Sequence, residues 1–79
     1  MKITVEVGKY HEPDKERPCE VEIYADETGI DYLIKQLSSL KNAGDHVHFM
    51  TPEWGMDDLS EEKINVENDL VHHLKLTLI

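Results

Sequence analysis

Apolar and polar residues alternate along several stretches of the chain, and a period of two predicts β-strands with one buried face. The stretches are 2–8, 18–25, 45–51 and 70–79. In the first of them, Ile3, Val5 and Val7 alternate with polar neighbours. A polar loop at 8–17 separates the first two stretches, so we expect them to pair as a hairpin with a long connection.

Between the second and third stretches the apolar residues recur at every third or fourth position instead. They are Ile30, Leu33, Ile34, Leu37 and Leu40. This spacing predicts an amphipathic helix. Thr28, with Asp31 three residues later, resembles an N-terminal cap, and Gly44 is suited to ending the helix. We expect Leu33, Ile34 and Leu37 to be buried against the sheet. Replacement of a buried Leu37 by Ala would cost about 2–5 kcal/mol.

The order strand, strand, helix, strand, strand predicts a single α+β domain over residues 1–79. Its expected architecture is a four-stranded, mostly antiparallel sheet (ββαββ) with one helix packed on one face; the strand orders 2-1-3-4 and 1-2-3-4 both fit. The other face should be open to solvent or a partner. The polar residues predicted there are Thr4, Glu6, Glu20, Glu22, Tyr24, His46, His48, His73, Lys75 and Thr77. Ile64 and Val66 allow a short extra strand.

Acidic residues dominate the charge, with 17 Asp and Glu against 8 Lys and Arg and a net charge of −9. Such a chain repels the phosphates of nucleic acids and anionic membranes, and it attracts basic proteins; the acidity also suits solubility alone. The apolar runs are too short for a membrane helix, and the N-terminus lacks the apolar core of a signal peptide. The single cysteine cannot form an internal disulfide, so we expect a cytoplasmic protein.

The sequence offers no residue set typical of an enzyme. Cys19 falls on the predicted apolar face of its strand, where a thiol behaves as a small hydrophobe. The serines have no histidine at a motif spacing, and the four glycines are isolated rather than grouped in a phosphate loop. We therefore predict no catalytic residues, no enzymatic activity and no cofactor.

His46 and His48 lie two residues apart on a predicted strand, which places both imidazoles on one face about 6.6–7 Å apart. With His73 or a glutamate from a neighbouring strand they could bind zinc. Because no spacing fixes that third ligand, we interpret them as solvated histidines and predict no tight metal site. His72, in register with the leucines of the last strand, should be at least partly buried and hydrogen-bonded.

Trp54, the only tryptophan, follows the third strand directly. It either caps the small core or is exposed as an anchor for a partner, a role in which tryptophan is enriched. An acidic stretch comes next along the chain. The predicted partner-binding surface comprises His46, His48, Trp54, Asp57, Asp58, Glu61 and Glu62.

Several segments of the chain resemble the bacterial immunity protein 32 family of polymorphic toxin systems. The most specific is His46-Val47-His48-Phe49-Met50-Thr51-Pro52-Glu53-Trp54-Gly55; the others are Glu22-Ile23-Tyr24-Ala25, Tyr32-Leu33 with Leu37, Leu59-Ser60-Glu61-Glu62 and Val71-His72-His73-Leu74. The resemblance implies an α+β fold, binding to a cognate toxin and no enzymatic activity.

The leading hypothesis is therefore a cytoplasmic immunity protein that neutralises its toxin by stoichiometric binding. Since nucleases carry basic surfaces to hold phosphate, a basic, nuclease-like toxin would match the charge. Two alternatives use the His46/His48/His73 face: a small metal-binding module, and a regulatory module that self-associates. A homodimer through an exposed strand edge, such as the last strand, is the expected form of self-association.

Overall fold

A computed structural model describes residues 1–8 and 20–79 of the chain. Its elements are β1 (Ile3–Gly8), β2 (Glu20–Ala25), α1 (Glu27–Ser38), β3 (His46–Met50), a 3-10 helix (Pro52–Trp54), β4 (Asp69–Leu70) and β5 (His73–Thr77). The predicted α+β class is confirmed. The predicted loop and the predicted position of Cys19 lie outside the described residues. No helix within the described ranges has the length and apolar character needed to cross a membrane.

The strands form two small antiparallel sheets, with the orders β2-β1-β4 and β3-β5, where the sequence predicted one four-stranded sheet. The predicted last strand, 70–79, supplies a strand to each sheet. Leu70 pairs with Glu6 on β1, whereas His73 pairs with Met50 on β3. Between Leu70 and His73 the chain therefore passes from one sheet to the other. This divides the predicted last strand into β4 and β5, and the predicted single sheet into two.

A loop that the sequence pattern did not assign to any element joins the two sheets. The N–H of Leu59 donates to the carbonyl of Met50 on β3 at 3.1 Å, and the N–H of Ser60 donates to that of Ile3 on β1 at 2.7 Å. The Leu59 side chain is buried with Ile3, Val5 and Phe49, and these four form the core cluster. The core thus lies between the sheets.

The reverse face of β1 is covered, although the sequence placed Glu6 on an open face. Glu6 and Thr4 are fully buried. The Glu6 carboxylate accepts hydrogen bonds from the Thr4 hydroxyl, the N–H groups of Ile64 and Asn65, and the Asn68 amide, at 2.9–3.2 Å. Burial raises the pKa of this carboxyl, but these hydrogen bonds outweigh burial and hold the pKa below its ordinary value. Ile64 therefore belongs to an irregular covering loop and not to a strand.

The N-terminal cap of α1 is Asp26, two residues before the predicted Thr28. Its carboxylate accepts from the N–H of Gly29 at 2.7 Å and from the Thr28 hydroxyl at 3.1 Å. The helix ends at Ser38, well before Gly44. Gly44 instead has a φ of 94° in the turn that leads into β3, and its N–H donates to the carbonyl of Leu78 at 2.7 Å.

The predicted apolar stripe of α1 is only partly buried. Leu33 packs against the core, but Ile34 and Leu37 are 58% and 42% exposed, which corrects the expectation that both are covered. Two contacts set the rotation of the helix. Gly29 lies close against Ile3, and the ring of Tyr32 meets the edge of Phe49 at a centroid distance of 6.2 Å. These contacts turn the remaining apolar side chains to the flank.

Candidate functional site

The β3–β5 sheet and the 3-10 helix bring three histidines and the tryptophan together. His46 and His48 come from β3, His73 comes from β5, and Trp54 ends the 3-10 helix. Ring centroids are 5.0 Å apart for His46 and His48, 5.0 Å for His48 and His73, and 5.3 Å for Trp54 and His73. We call these four residues the His–Trp cluster. It contains three residues of the sequence-predicted surface, and it adds His73.

The strand register explains the contact between His48 and His73. In the antiparallel pair β3–β5, Lys75 lies opposite His48 and Met50 lies opposite His73. The two histidines are therefore diagonal neighbours, which long and aromatic side chains can bridge. The Nδ1 atom of His48 lies 2.8 Å from the Nε2 atom of His73, so one ring donates its N–H to the other.

The cluster favours neutral imidazole at His48. Burial lowers the pKa of His48, and the positive charges of His46, His73 and Lys75 lower it further. His46 is exposed, and its Nδ1 lies 3.1 Å from the carbonyl oxygen of Gly44. The cluster thus presents aromatic rings, with the ring of His48 favouring its neutral form.

Trp54 is 58% exposed, so it does not cap the core. The backbone N–H of Trp54 donates to the carbonyl of Thr51 at 2.9 Å, and the backbone N–H of Gly55 donates to the carbonyl of Pro52 at 2.9 Å. Gly55 has a φ of 94°, a conformation that glycine adopts without steric cost. This turn holds the backbone of the tryptophan in place beside the histidines.

Asp58 does not belong to the predicted partner-binding surface, because its carboxylate accepts hydrogen bonds inside the fold. It is 7% exposed and accepts hydrogen bonds from the Tyr32 hydroxyl at 2.7 Å and from the N–H of Met50 at 3.1 Å. The bond to Asp58 raises the pKa of Tyr32 to about 12. Asp58 lies inside the fold because its neighbour Leu59 is part of the core. The alternation of residues in this segment does not indicate that Leu59 is buried.

The other three acidic residues of the predicted surface, Asp57, Glu61 and Glu62, are exposed. Glu61 accepts a hydrogen bond from the N–H of Glu53 at 2.9 Å, and Glu62 pairs with Lys2 at 3.3 Å. All three follow the 3-10 helix along the chain, and the bond to Glu53 places the Glu61 carboxylate beside that helix.

The chain matches a known protein family. A family model described as immunity protein 32 matches residues 20–75, which is 56 of the 79 residues. The chain belongs to this family. Membership implies that it neutralises a cognate toxin, and proteins of this kind are typically inhibitors without enzymatic activity. No curated protein and no solved structure matches the chain.

One group in this immunity protein could hold a metal ion, and it differs from the group that the sequence suggested. Ligand atoms of Glu53, Glu61 and His72 lie within 4.8 Å of one another, and no other group of three such side chains among residues 1–8 and 20–79 is as close. The Nε2 of His72 lies 3.4 Å from the Glu53 carboxylate, while its Nδ1 lies 2.6 Å from the hydroxyl of buried Thr51. His72 is half-buried and hydrogen-bonded, as predicted.

No local pattern in the sequence indicates this group, because its members come from three separate segments at no motif spacing. The 3-10 helix carries Glu53, the loop after it carries Glu61, and the link between β4 and β5 carries His72. The tertiary contact between Thr51 and His72, whose backbone groups also bond at 2.9 Å, is what brings them together.

Proposed function

We propose that this immunity protein binds its cognate toxin stoichiometrically through the His–Trp cluster, in the cytoplasm, and that the toxin domain is basic and nuclease-like. The observation that carries the proposal is the exposure of Trp54 beside His73, at a ring distance of 5.3 Å. An exposed tryptophan held by its neighbours is the kind of side chain that dominates binding energy at protein interfaces.

The fold supports this role because the anchor is held before binding. The hydrogen-bonded turn from Thr51 to Gly55 fixes the backbone at Trp54, and the tilted ring of His73, 5.3 Å away between centroids, limits where the indole can move. A side chain that is already ordered loses less entropy on association. Trp54 and its neighbours therefore suit a tight complex with slow dissociation.

The charge of the protein supports a basic partner. The net charge is −9, and Asp57, Glu61 and Glu62 are exposed next to the cluster along the chain. Opposite charges steer two proteins together and speed their encounter. A nuclease domain needs a basic surface to hold phosphate, so covering that surface would also block its substrate.

Binding kinetics against the toxin domain encoded by the neighbouring gene test the proposal. Asp57→Lys should slow association several-fold, with a smaller effect at high salt because salt screens the field. Glu67→Lys makes the same change of charge in the loop that covers the reverse face of β1, and it is the matched control. Trp54→Ala should mainly speed dissociation.

Each variant is first checked for native circular dichroism. If folded Asp57→Lys associates at the wild-type rate in low salt, the acidic segment serves solubility only and the proposed surface is wrong. Failure of the wild-type chain to bind the toxin domain at all would reject the proposed pairing itself.

A second candidate function, a small metal-binding module, is favoured by the Glu53–Glu61–His72 group alone. Imidazole and carboxylate are both zinc ligands, and the Thr51 hydroxyl orients the His72 ring as outer-shell groups do. Zinc titration of the tag-free chain tests it. Binding of about one ion per chain that His72→Gln abolishes would support this function, and the absence of binding would reject it.

A further inference from the structure

The flank of α1 carries apolar side chains that the fold leaves in water. Ile30, Ile34 and Leu37 are 47%, 58% and 42% exposed. At 100° per residue they lie on one side of the helix, next to Leu33, which packs against the core. The apolar stripe of the helix therefore continues beyond its buried part, and the three side chains form the exposed part of that stripe.

Strand β2 carries two more exposed aliphatic side chains, Val21 and Ile23. Their partners in the antiparallel register are Val7 and Val5, and directly opposite residues share a face of the sheet. Val5 is buried in the core, so Val21 and Ile23 are on the core-facing side of the sheet. They are nevertheless 60% and 52% exposed.

Helix α1 begins on this same side of the β1–β2 sheet, so both exposed sets lie on one side of that sheet. The helix contacts β2, and its Gly29 lies close against Ile3, which shares the face of Val5. We call Val21, Ile23, Ile30, Ile34 and Leu37 the α1–β2 surface. Five large aliphatic side chains exposed on one side of so small a protein are typical of an interaction site.

We infer that the α1–β2 surface is a second docking surface for the toxin, and that the toxin meets it with an apolar patch bordered by lysine or arginine. This inference rests on the proposed function. The charged residues on the outer side of α1 are Glu27, Asp31 and Lys35, all exposed. Two acids against one base give the helix an acidic border, which a basic border on the partner would complement.

Charge also argues against a second copy as the occupant. Each copy carries a net charge of −9, so self-association brings like charges together. Within residues 1–8 and 20–79, β2 is an edge strand of its sheet. Pairing it antiparallel with the β2 of another copy would bring the carboxylates of Glu20 and Glu22 of both copies into neighbouring positions, which is unfavourable.

The α1–β2 surface is ordered before binding. Asp26 caps the first turn of α1, Gly29 locks that turn against β1, and the hydroxyl of Tyr32 bonds the carboxylate of Asp58 at 2.7 Å. The helix therefore presents Ile34 and Leu37 at fixed positions. A partner that covers them gains from apolar burial without ordering the helix.

The double variant Ile34→Gln with Leu37→Gln tests the inference in a binding assay with the toxin domain encoded by the neighbouring gene. Both side chains are exposed and glutamine is a good helix former, so the melting temperature should stay close to that of the wild type. The dissociation constant should rise about tenfold or more, mainly through faster dissociation. Val66→Gln makes the same kind of change at a side chain that is 80% exposed in the loop covering the reverse face of β1; it is the matched control and should not weaken binding.

The outcomes separate this inference from the proposed function. If Trp54→Ala weakens binding but the folded double variant binds like the wild type, the second docking surface is wrong and the proposed function stands. Absence of wild-type binding overturns both. Light scattering tests whether a second copy of the chain occupies the surface instead. A wild-type dimer that the double variant converts to a monomer would assign the surface to a second copy and overturn the inference.

Discussion

The Nδ1 atom of His48 lies 2.8 Å from the Nε2 atom of His73, and this bond links β3 to β5 in the middle of the His–Trp cluster. One ring must donate and the other accept, because a neutral imidazole has one N–H and one free nitrogen. When both rings are charged, both nitrogens carry protons and the bond is lost. The contact therefore depends on at least one neutral histidine.

Acidification should weaken the fold through His48. Its pKa is lowered by burial first and by neighbouring positive charges second, so the unfolded chain binds this proton more readily than the folded chain. The contribution to the free energy of unfolding is then undiminished well above the ordinary pKa of about 6.5 and falls as the pH drops below it. Urea unfolding at pH 7.5 and pH 5.5 measures this loss.

The variant His48→Gln serves as the control for that experiment. It removes the titrating ring, so its stability should change less between the two pH values than that of the wild type. NMR titration of the wild-type histidines should give His48 a pKa below 6.5. An equal loss of stability in variant and wild type would show that the acid sensitivity has another source.

The buried carboxylate of Glu6 should contribute strongly to stability. Glu6→Gln replaces one acceptor oxygen by an NH₂ group, which faces donors from the loop before β4. Leaving one buried donor unsatisfied costs about 1–3 kcal/mol. We expect a loss of that size in urea unfolding at pH 7, whereas Glu27→Gln on the exposed start of α1 should change stability by about 0.5 kcal/mol or less.

Acid titration supplies a second test of the same carboxylate. Because the pKa of Glu6 is below its ordinary value, its stabilising contribution is present in full above the ordinary pKa of about 4.3 and is lost as the pH falls below it. The Glu6→Gln variant should therefore lose less stability than the wild type between pH 5 and pH 3. Equal losses would contradict the assignment.

The sequence predicted those features of the fold that depend on local spacing. Alternation of residues located β1, β2 and β3, and the spacing from Ile30 onward located α1. The short distance along the chain from β3 to Trp54 was enough to place His46, His48 and Trp54 in one region. These predictions succeeded because the side chains concerned are neighbours in sequence or on one strand.

Features that depend on distant segments could not be predicted in the same way. Alternation shows that Glu6 and Val5 point to opposite faces, but it does not show that the loop before β4 covers Glu6. Nothing local marks Leu59 as a core residue or Asp58 as the partner of Tyr32. The pairing of Leu70 with β1 and of His73 with β3 is also a tertiary choice, and it decides that there are two sheets.

Truncating a leucine in the core between the two sheets should cost more stability than truncating a leucine on the flank of α1. Leu59→Ala should cost about 2–5 kcal/mol, since the side chain is 2% exposed and joins both sheets. Leu37→Ala should cost less than about 1 kcal/mol, because Leu37 is 42% exposed. Urea unfolding of both variants gives the comparison. Equal losses would mean that Leu37 is covered in solution.

Helix α1 is in close contact with the start of β1 at Gly29. Replacing a glycine inside a helix by alanine usually stabilises the helix by about 1 kcal/mol. At Gly29 an added Cβ would lie 2.8 Å from the Cγ1 of Ile3 and 2.9 Å from the carbonyl oxygen of Lys2. The oxygen belongs to the backbone and also accepts a hydrogen bond from the N–H of Asp26 at 3.0 Å, so it cannot simply turn away.

Overpacking of this kind typically costs about 1–3 kcal/mol, which exceeds the gain in helix propensity. Gly29→Ala should therefore lower the free energy of unfolding, measured by urea denaturation. Ser38→Ala, at the exposed end of the same helix, should be neutral or slightly stabilising, since alanine is the better helix former. If Gly29→Ala instead matches or exceeds the stability of the wild type, the start of α1 is not held against β1, and the fixed orientation of Ile34 and Leu37 loses its structural basis.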